Sequence, residues 1–228
     1  MNPLTHSPWS TPETVAGFVK SPPNPMLMQF AERELGRVGS GRVIDLGCGA
    51  GRNAVPLARL GWDVFGVDRS VPMLSAAAER VRNEQLAGRI DLVLATMDAV
   101  PAADRTFDLV IAHGIWNLAR SAAECRHAIR EAARVAKPQA GLFVFTFSRN
   151  TLPPQTAPVP GEPYVFTEFS GDPQCFLTEN QLVSELALVG FVGDPSVPLT
   201  ELNRPQPGAL QTAKIPIIYQ GAFRFTAI

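Results

Sequence analysis

The residues most able to do chemistry in this chain are concentrated in Asp45-Leu46-Gly47-Cys48-Gly49-Ala50-Gly51-Arg52. Glycines at alternate positions permit positive φ and bring backbone amides close to a ligand. A helix N-terminus directly behind such a turn favours a carboxylate or a phosphate. Two ligand classes use turns of this kind, and spacing separates them. A dinucleotide turn runs G-x-G-x-x-G and would set its third glycine where this chain has Arg52. Here the third glycine comes one residue early, and an acid, Asp45, stands before the turn. Three more groups able to accept or move protons, Asp68, Asp98 and His113, close later apolar runs. An ionised aspartate offers two oxygens and about four acceptor directions, enough for both hydroxyls of a ribose. A histidine near its unperturbed pKa can take a proton from a hydroxyl, amine or thiol.

The elements that must position these groups follow from periodicity and caps. Val43 to Leu46 reads as a strand, and 53–60 spaces its apolar residues as a helix does, with Gly61 as its natural end. Trp62 to Asp68 reads as a second strand. Ser70 caps a helix to about Glu84, with Pro72 in its first turn. A third strand, Ile90 to Thr96, delivers Met97-Asp98-Ala99. Phe107 to His113 forms the fourth, a helix spans Ser121 to Ala136, and Leu142 to Phe147 forms the fifth. Thr178-Glu179-Asn180-Gln181 is a capping box opening a helix to about Val189, which Gly190 ends. Phe191-Val192 and Ile215 to Phe225 supply the last two strands, and a helix around Met26 to Leu35 precedes the whole. Strands alternating with helices imply parallel pairing buried on both faces, with ligands at the carboxyl ends of the strands.

This motif and this order of elements resemble the class I S-adenosylmethionine-dependent methyltransferases of small-molecule type, over about residues 40 to 192. The resemblance implies an α/β fold, a Rossmann-like doubly wound sheet of seven strands, mostly parallel with an antiparallel seventh. It implies one domain over 1–228, with 1–39 as an N-terminal cap, 40–147 as the cofactor-binding half, and 148–228 as substrate loops and sheet completion. S-adenosylmethionine would be the cofactor and S-adenosylhomocysteine the product. On this resemblance Gly47, Cys48, Gly49 and Gly51 border the methionine part, and Asp45 lies beneath it near the amino group. Asp68, with Arg69 beside it, takes the ribose, while Met97, Asp98 and Ala99 frame the adenine. His113 either lends its carbonyl to the cofactor's amino group or serves as the catalytic base. Trp116 either walls the acceptor or packs beneath the helix at 121–136. Plainer readings stand beside these: Asp45 as a cap for local amides, Asp98 as a turn residue, Asp108 as a structural acid at the far end of the sheet. The family usually has Lys/Arg-Pro-Gly-Gly before its fifth strand, whereas this chain has Lys137-Pro138-Gln139-Ala140-Gly141.

Composition limits the alternatives. A chain of 228 residues, 46% hydrophobic and 18% charged, can bury a full core in one domain. A net charge of −1 gives no general attraction to nucleic acid or anionic membranes. No apolar run approaches the roughly 20 residues of a membrane helix, and the first residues lack the order of a signal peptide, so a cytoplasmic protein is expected, as monomer or homodimer. Three cysteines without paired spacing argue against disulfides and a metal site, and Cys48 and Cys125 are not expected to converge on Cys175. Residues 148–177 hold six prolines together with Tyr164, Phe166, Phe169 and Phe176, a composition of an ordered lid. Tyr164 and Cys175 are candidates to line an acceptor pocket there, Cys175 alternatively being a small buried apolar residue. A second irregular stretch occupies 194–214. Trp9, Phe18 and the prolines of 21–25 precede the first helix and either fold over the cofactor or pack on the sheet. An NAD-dependent oxidoreductase and an S-adenosylmethionine-binding protein without methyl transfer remain as alternatives. The former would want the later glycine and a Tyr-x-x-x-Lys relay, which this chain lacks.

Overall fold

The computed structural model describes residues 11–205 and 215–226. In chain order its helices are α1 (Pro12–Lys20), α2 (Pro25–Val38), α3 (Ala54–Leu60), α4 (Val71–Asn83), α5 (Ala122–Val135) and α6 (Glu179–Ala187). Its strands are β1 (Arg42–Leu46), β2 (Asp63–Asp68), β3 (Ile90–Leu94), β4 (Phe107–His113), β5 (Ala136–Phe147), β6 (Val165–Phe166), β7 (Gln174–Cys175), β8 (Phe191–Gly193), β9 (Thr200–Leu202) and β10 (Ile218–Phe225). The main sheet runs β3-β2-β1-β4-β5-β10-β8, with β9 on β10. Strands β1 to β5 are mutually parallel, and β10 is antiparallel to β5, β8 and β9. The expected mixed sheet is thus present, with an eighth strand, β9, taken from the second irregular stretch.

Alternation along each strand divides the core. Ile44, Val110, Leu142 and Val144 face α5 and α6, while Val43, Leu109, Ile111 and Phe143 face α2 and α3. Burial on both faces is the condition under which parallel strands persist. The caps read from sequence form as expected: Ser70 Oγ accepts from Met73 N, Ser121 Oγ from Glu124 N, and Thr178 and Gln181 close a capping box. No helix of the described residues is long and apolar enough to cross a membrane.

Strand β5 begins six residues before the expected Leu142. Phe107 pairs with Ala136, then the register slips and Leu109 pairs with Gly141. Residues 137–140 take up the slack as a bulge, pinned where Lys137 Nζ donates to both Asp108 oxygens at 2.8 and 2.9 Å. Arg42 N also donates to Asp108, which makes this acid a structural one. Gln139 holds φ +66°, the left-handed region a glycine enters without steric cost. The departure from Pro-Gly-Gly therefore falls where a glycine would be favoured.

The N-terminal segment divides its work. Helix α2 packs Leu27, Phe30 and Ala31 into the sheet core, while α1 buries none of its residues and lies by α4 and the glycine turn. Trp9 lies outside the described residues.

Candidate active site

The glycine turn is held by its neighbours before any ligand arrives. Gly47 N and Cys48 N both donate to Val67 O, at 2.8 and 3.0 Å, tying the turn to the end of β2. Gly47, Gly49 and Gly51 adopt φ of +70°, +53° and +75°. A Cβ on Gly47 would also come within 2.7 Å of Ile115 Cδ1. Beneath the turn the Cys48 thiol rests against Gly66, whose own Cβ would meet Cys48 Sγ at 2.9 Å. Burial pushes the Cys48 thiol well above its ordinary pKa. Only the Cys48 backbone is left to face a ligand, and Gly66 is a requirement that the motif alone did not reveal.

Asp68 closes the turn from the far side. Its Oδ2 accepts from Gly49 N at 2.9 Å and its Oδ1 from Ser70 N at 2.8 Å, so one carboxylate joins the turn to the start of α4. Burial raises its pKa, opposed by these backbone amides. Two acceptor directions remain for a pair of hydroxyls. Arg69 is exposed beside it. Beyond β3, Met97 is buried, Asp98 is half-buried and its carboxylate accepts no hydrogen bond among the described residues, and Ala99 is exposed.

Asp45 is 1% exposed and its Oδ2 has no hydrogen-bond partner among the described residues. Burial pushes its carboxyl up to about 7, Arg52 working against the rise and Asp68 adding to it. A buried carboxylate oxygen without a partner is costly unless a cation or donor completes it. Asp45 does not cap local amides with that oxygen, and an ammonium group would satisfy it.

Residues far apart in the chain assemble next to it. His113, Phe145 and Gln220 stand side by side across β4, β5 and β10, and the imidazole stacks on Phe145 at 4.1 Å. Arg52 Nη2 lies against the face of the imidazole, 2.7 Å from Nδ1 and 3.4 Å from Nε2, and Asn24 Nδ2 lies 3.2 Å from His113 Nε2. Asn24 is held in place: its Oδ1 caps α2 at Met26 N and Leu27 N, and its Nδ2 donates to Gln220 Oε1 at 2.7 Å. Over this group, Phe18 of α1 lies 5.9 Å from the Arg52 guanidinium. Arg52, Asn24 and Gln220 were missed at the sequence level. The Asn-Pro pair marks a helix start but cannot say what the other side of Asn24 touches.

Four expectations are corrected. Burial, followed by the Arg52 charge, drives the His113 pKa down to about 3, and Asn24 Nδ2 faces Nε2, so this imidazole is not poised as a general base. Tyr164 is 1% exposed in the core, donating to Glu185 Oε1 at 3.2 Å beside Arg126, and presents nothing to an acceptor. Cys175 is wholly buried and its thiol donates to Ala119 O, so it is a small buried residue and lines no pocket. Trp116 is likewise a core residue at 1% exposure, packed on the α5 side. The apolar content of 148–177 that suggested a pocket lining instead builds a small core of its own. Phe147, Phe169 and Phe176 contact one another, and Arg149 ties the backbone of 152–156 together while lying over Phe166.

Comparison with known proteins agrees with this geometry. Residues 43–139 match the methyltransferase domain family. The chain is 37% identical over 126 residues to the ubiquinone/menaquinone biosynthesis C-methyltransferase UbiE of Syntrophotalea carbinolica, covering 54% of this chain and 51% of that protein. It thus spans about half the length of the curated relatives it matches. Among solved structures it superposes on 1,6-didemethyltoxoflavin-N1-methyltransferase of Burkholderia thailandensis with bound S-adenosylhomocysteine, at TM-score 0.64 and 17% identity over 88% of this chain and 78% of that one. It also superposes on the cyclase SpnF at TM-score 0.59 and 24% identity, over 80% and 63%. These two likenesses show the fold alone, and the fold serves more than one reaction. The likeness to the methyltransferase domain family is carried by residues 43–139, the segment that holds the glycine turn and the ends of β1 to β4.

Proposed function

We propose that this chain transfers a methyl group from S-adenosylmethionine to a small-molecule acceptor by in-line displacement. The observation that carries the reading is the unpartnered, buried Asp45 oxygen facing a glycine turn closed by Asp68. When bound, the cofactor supplies an electrophilic methyl group on a sulfonium. Asp45 would complete the ammonium of its amino acid part, Gly47 to Gly51 would border that part, and Asp68 would accept both ribose hydroxyls. Arg69, Met97, Asp98 and Ala99 would lie along the adenine side. Phe18 and α1 would close over the turn and exclude water, which strengthens each of these interactions.

Such a displacement needs the acceptor held about 3 Å from the methyl carbon and in line with it, so positioning supplies most of the acceleration. The wall next to the cofactor's amino acid end is His113, Phe145, Asn24 and Gln220, with the ordered segment 148–177 rising from the end of β5. The relative named above methylates in quinone biosynthesis by its name, and a ring-bearing acceptor suits an aromatic wall. A monomer or homodimer acting without nucleic acid fits the near-neutral charge. The test is transfer of label from methyl-labelled S-adenosylmethionine to a panel of hydroxylated aromatics and quinols. Tight S-adenosylhomocysteine binding with label transfer supports the reading. NAD binding without S-adenosylmethionine binding would overturn it.

A further inference from the structure

Arg52 carries a charge that its neighbours do not answer. Its Nη2 lies over the face of the His113 ring, 2.7 Å from Nδ1 and 3.4 Å from Nε2, and so meets neither nitrogen along its lone pair. The ring is satisfied without it. Asn24 must donate here, because its Oδ1 is committed to two backbone amides of α2, and that NH2 group is 3.2 Å from Nε2. The imidazole therefore accepts at Nε2, keeps its proton on Nδ1 and stays neutral, with Phe145 stacked on it at 4.1 Å. A second ring, Phe18, lies 5.9 Å from the guanidinium. Among the described residues Arg52 forms no ion pair, although Asp45 attracts it.

Two other arginines near the turn are placed differently. Arg80 Nη1 donates to Ala50 O at 3.1 Å, and Arg69 is exposed beside Asp68. Opposite charges that lie near one another without pairing are matched by a ligand carrying both signs a few bonds apart. The ammonium and carboxylate of an amino acid do so: the ammonium completes Asp45 Oδ2, which lacks a partner among the described residues, and the carboxylate meets the guanidinium, whose planar fork can take both oxygens at once. A plain anion would answer Arg52 and leave the buried Asp45 oxygen as costly as before.

We infer that Arg52 anchors the carboxylate of the cofactor's amino acid part, and that Arg52 and Asp45 together select the intact zwitterion over decarboxylated S-adenosyl compounds. A decarboxylated ligand forfeits the bond to the guanidinium. It also brings its ammonium beside that charge with no carboxylate between them, so an attraction is replaced by a repulsion. The inference rests on the methyl-transfer reading for the identity of the zwitterion.

Calorimetry without any acceptor tests it, using S-adenosylhomocysteine, its decarboxylated analogue, and 5′-methylthioadenosine, which lacks both charged groups. The wild type should bind S-adenosylhomocysteine at least about tenfold more tightly than the decarboxylated analogue, the scale of one charge-assisted hydrogen bond. Arg52→Met should weaken S-adenosylhomocysteine by about ten- to hundredfold, close the gap between those two ligands, and leave 5′-methylthioadenosine unchanged. Arg52→Lys keeps the charge without the fork and should show an intermediate gap; it serves as the second variant should Arg52→Met not fold. Equal binding of the two ligands by the wild type overturns the inference, as does a gap that survives in Arg52→Met. An equal loss for all three ligands in Arg52→Met overturns it too, since the arginine then only shapes the turn. Absence of S-adenosylhomocysteine binding to the wild type overturns the inference together with the methyl-transfer reading.

Discussion

The side-chain amide of Asn24 donates to Gln220 Oε1 at 2.7 Å, joining residues 196 positions apart. One asparagine thereby caps α2, fixes the antiparallel strand β10 against the parallel part of the sheet, and sets the surroundings of His113. Asn24→Ala should cost about 1–2 kcal/mol, a helix cap plus the loss of a half-buried partner. Asn24→Ser should restore the cap portion only. Urea denaturation of the three proteins separates the two shares, and equal midpoints for Asn24→Ser and the wild type would show that the Gln220 bond contributes nothing.

Asp68 serves structure and ligand at once. Asp68→Ala should weaken S-adenosylhomocysteine binding by about 1.5–3 kcal/mol, the value of hydrogen bonds to a charged group. Because Gly49 N and Ser70 N lose their acceptors as well, the ligand-free protein should also melt lower. Asp68→Asn keeps one acceptor oxygen and should fall between. A dissociation constant unchanged in both variants refutes the ribose role.

Asp45 makes cofactor affinity depend on pH. Its pKa in the folded protein is raised from 3.8 to about 7, so ionisation opposes the ligand-free fold and stability declines as pH rises across that interval. An ammonium ligand needs the ionised form, so affinity should climb as pH passes upward through about 7. Asp45→Asn should flatten this profile, bind more weakly, and leave the ligand-free protein more stable at pH 8. Calorimetric titrations between pH 6 and 8.5 give the answer.

At the opposite end of the sheet Arg224 bridges Glu34, at 2.5 and 2.7 Å, and Asp194, clamping α2 to β10 and the turn after β8. Burial raises both carboxyls, but the Arg224 bonds, with Arg37 on Glu34 and Ser196 on Asp194, hold them below their ordinary values. Groups depressed in this way stabilise the fold above the unfolded pKa, here 4.5 and 3.8, and that contribution is lost as pH falls below it. Arg224→Met should cost about 3–5 kcal/mol at pH 7, since it strands two largely buried acids. The deficit should shrink toward pH 3 as the acids protonate. A deficit that stays constant with pH would mean the arginine acts through packing alone.

Much of this protein is legible in its sequence because the determining interactions are short in range. A glycine needed for positive φ, a serine accepting from an amide three residues on, and an acid closing an apolar run each declare themselves within about ten residues. The glycine turn, the caps at Ser70, Ser121 and Thr178, and the placement of Asp45 and Asp68 at strand ends belong to this group. Tertiary structure decided whatever depends on which strands become neighbours. Parallel pairing of β4 with β5 and antiparallel pairing of β5 with β10 bring His113, Phe145 and Gln220 into one row, and α2 drops Asn24 onto it. The same packing turned Tyr164, Cys175 and Trp116 inward, since apolar and aromatic side chains in a long loop bury themselves unless something already fills the space beneath. Local pattern shows that a residue can do chemistry, and only the neighbours the fold supplies decide whether its atoms face solvent, ligand or core.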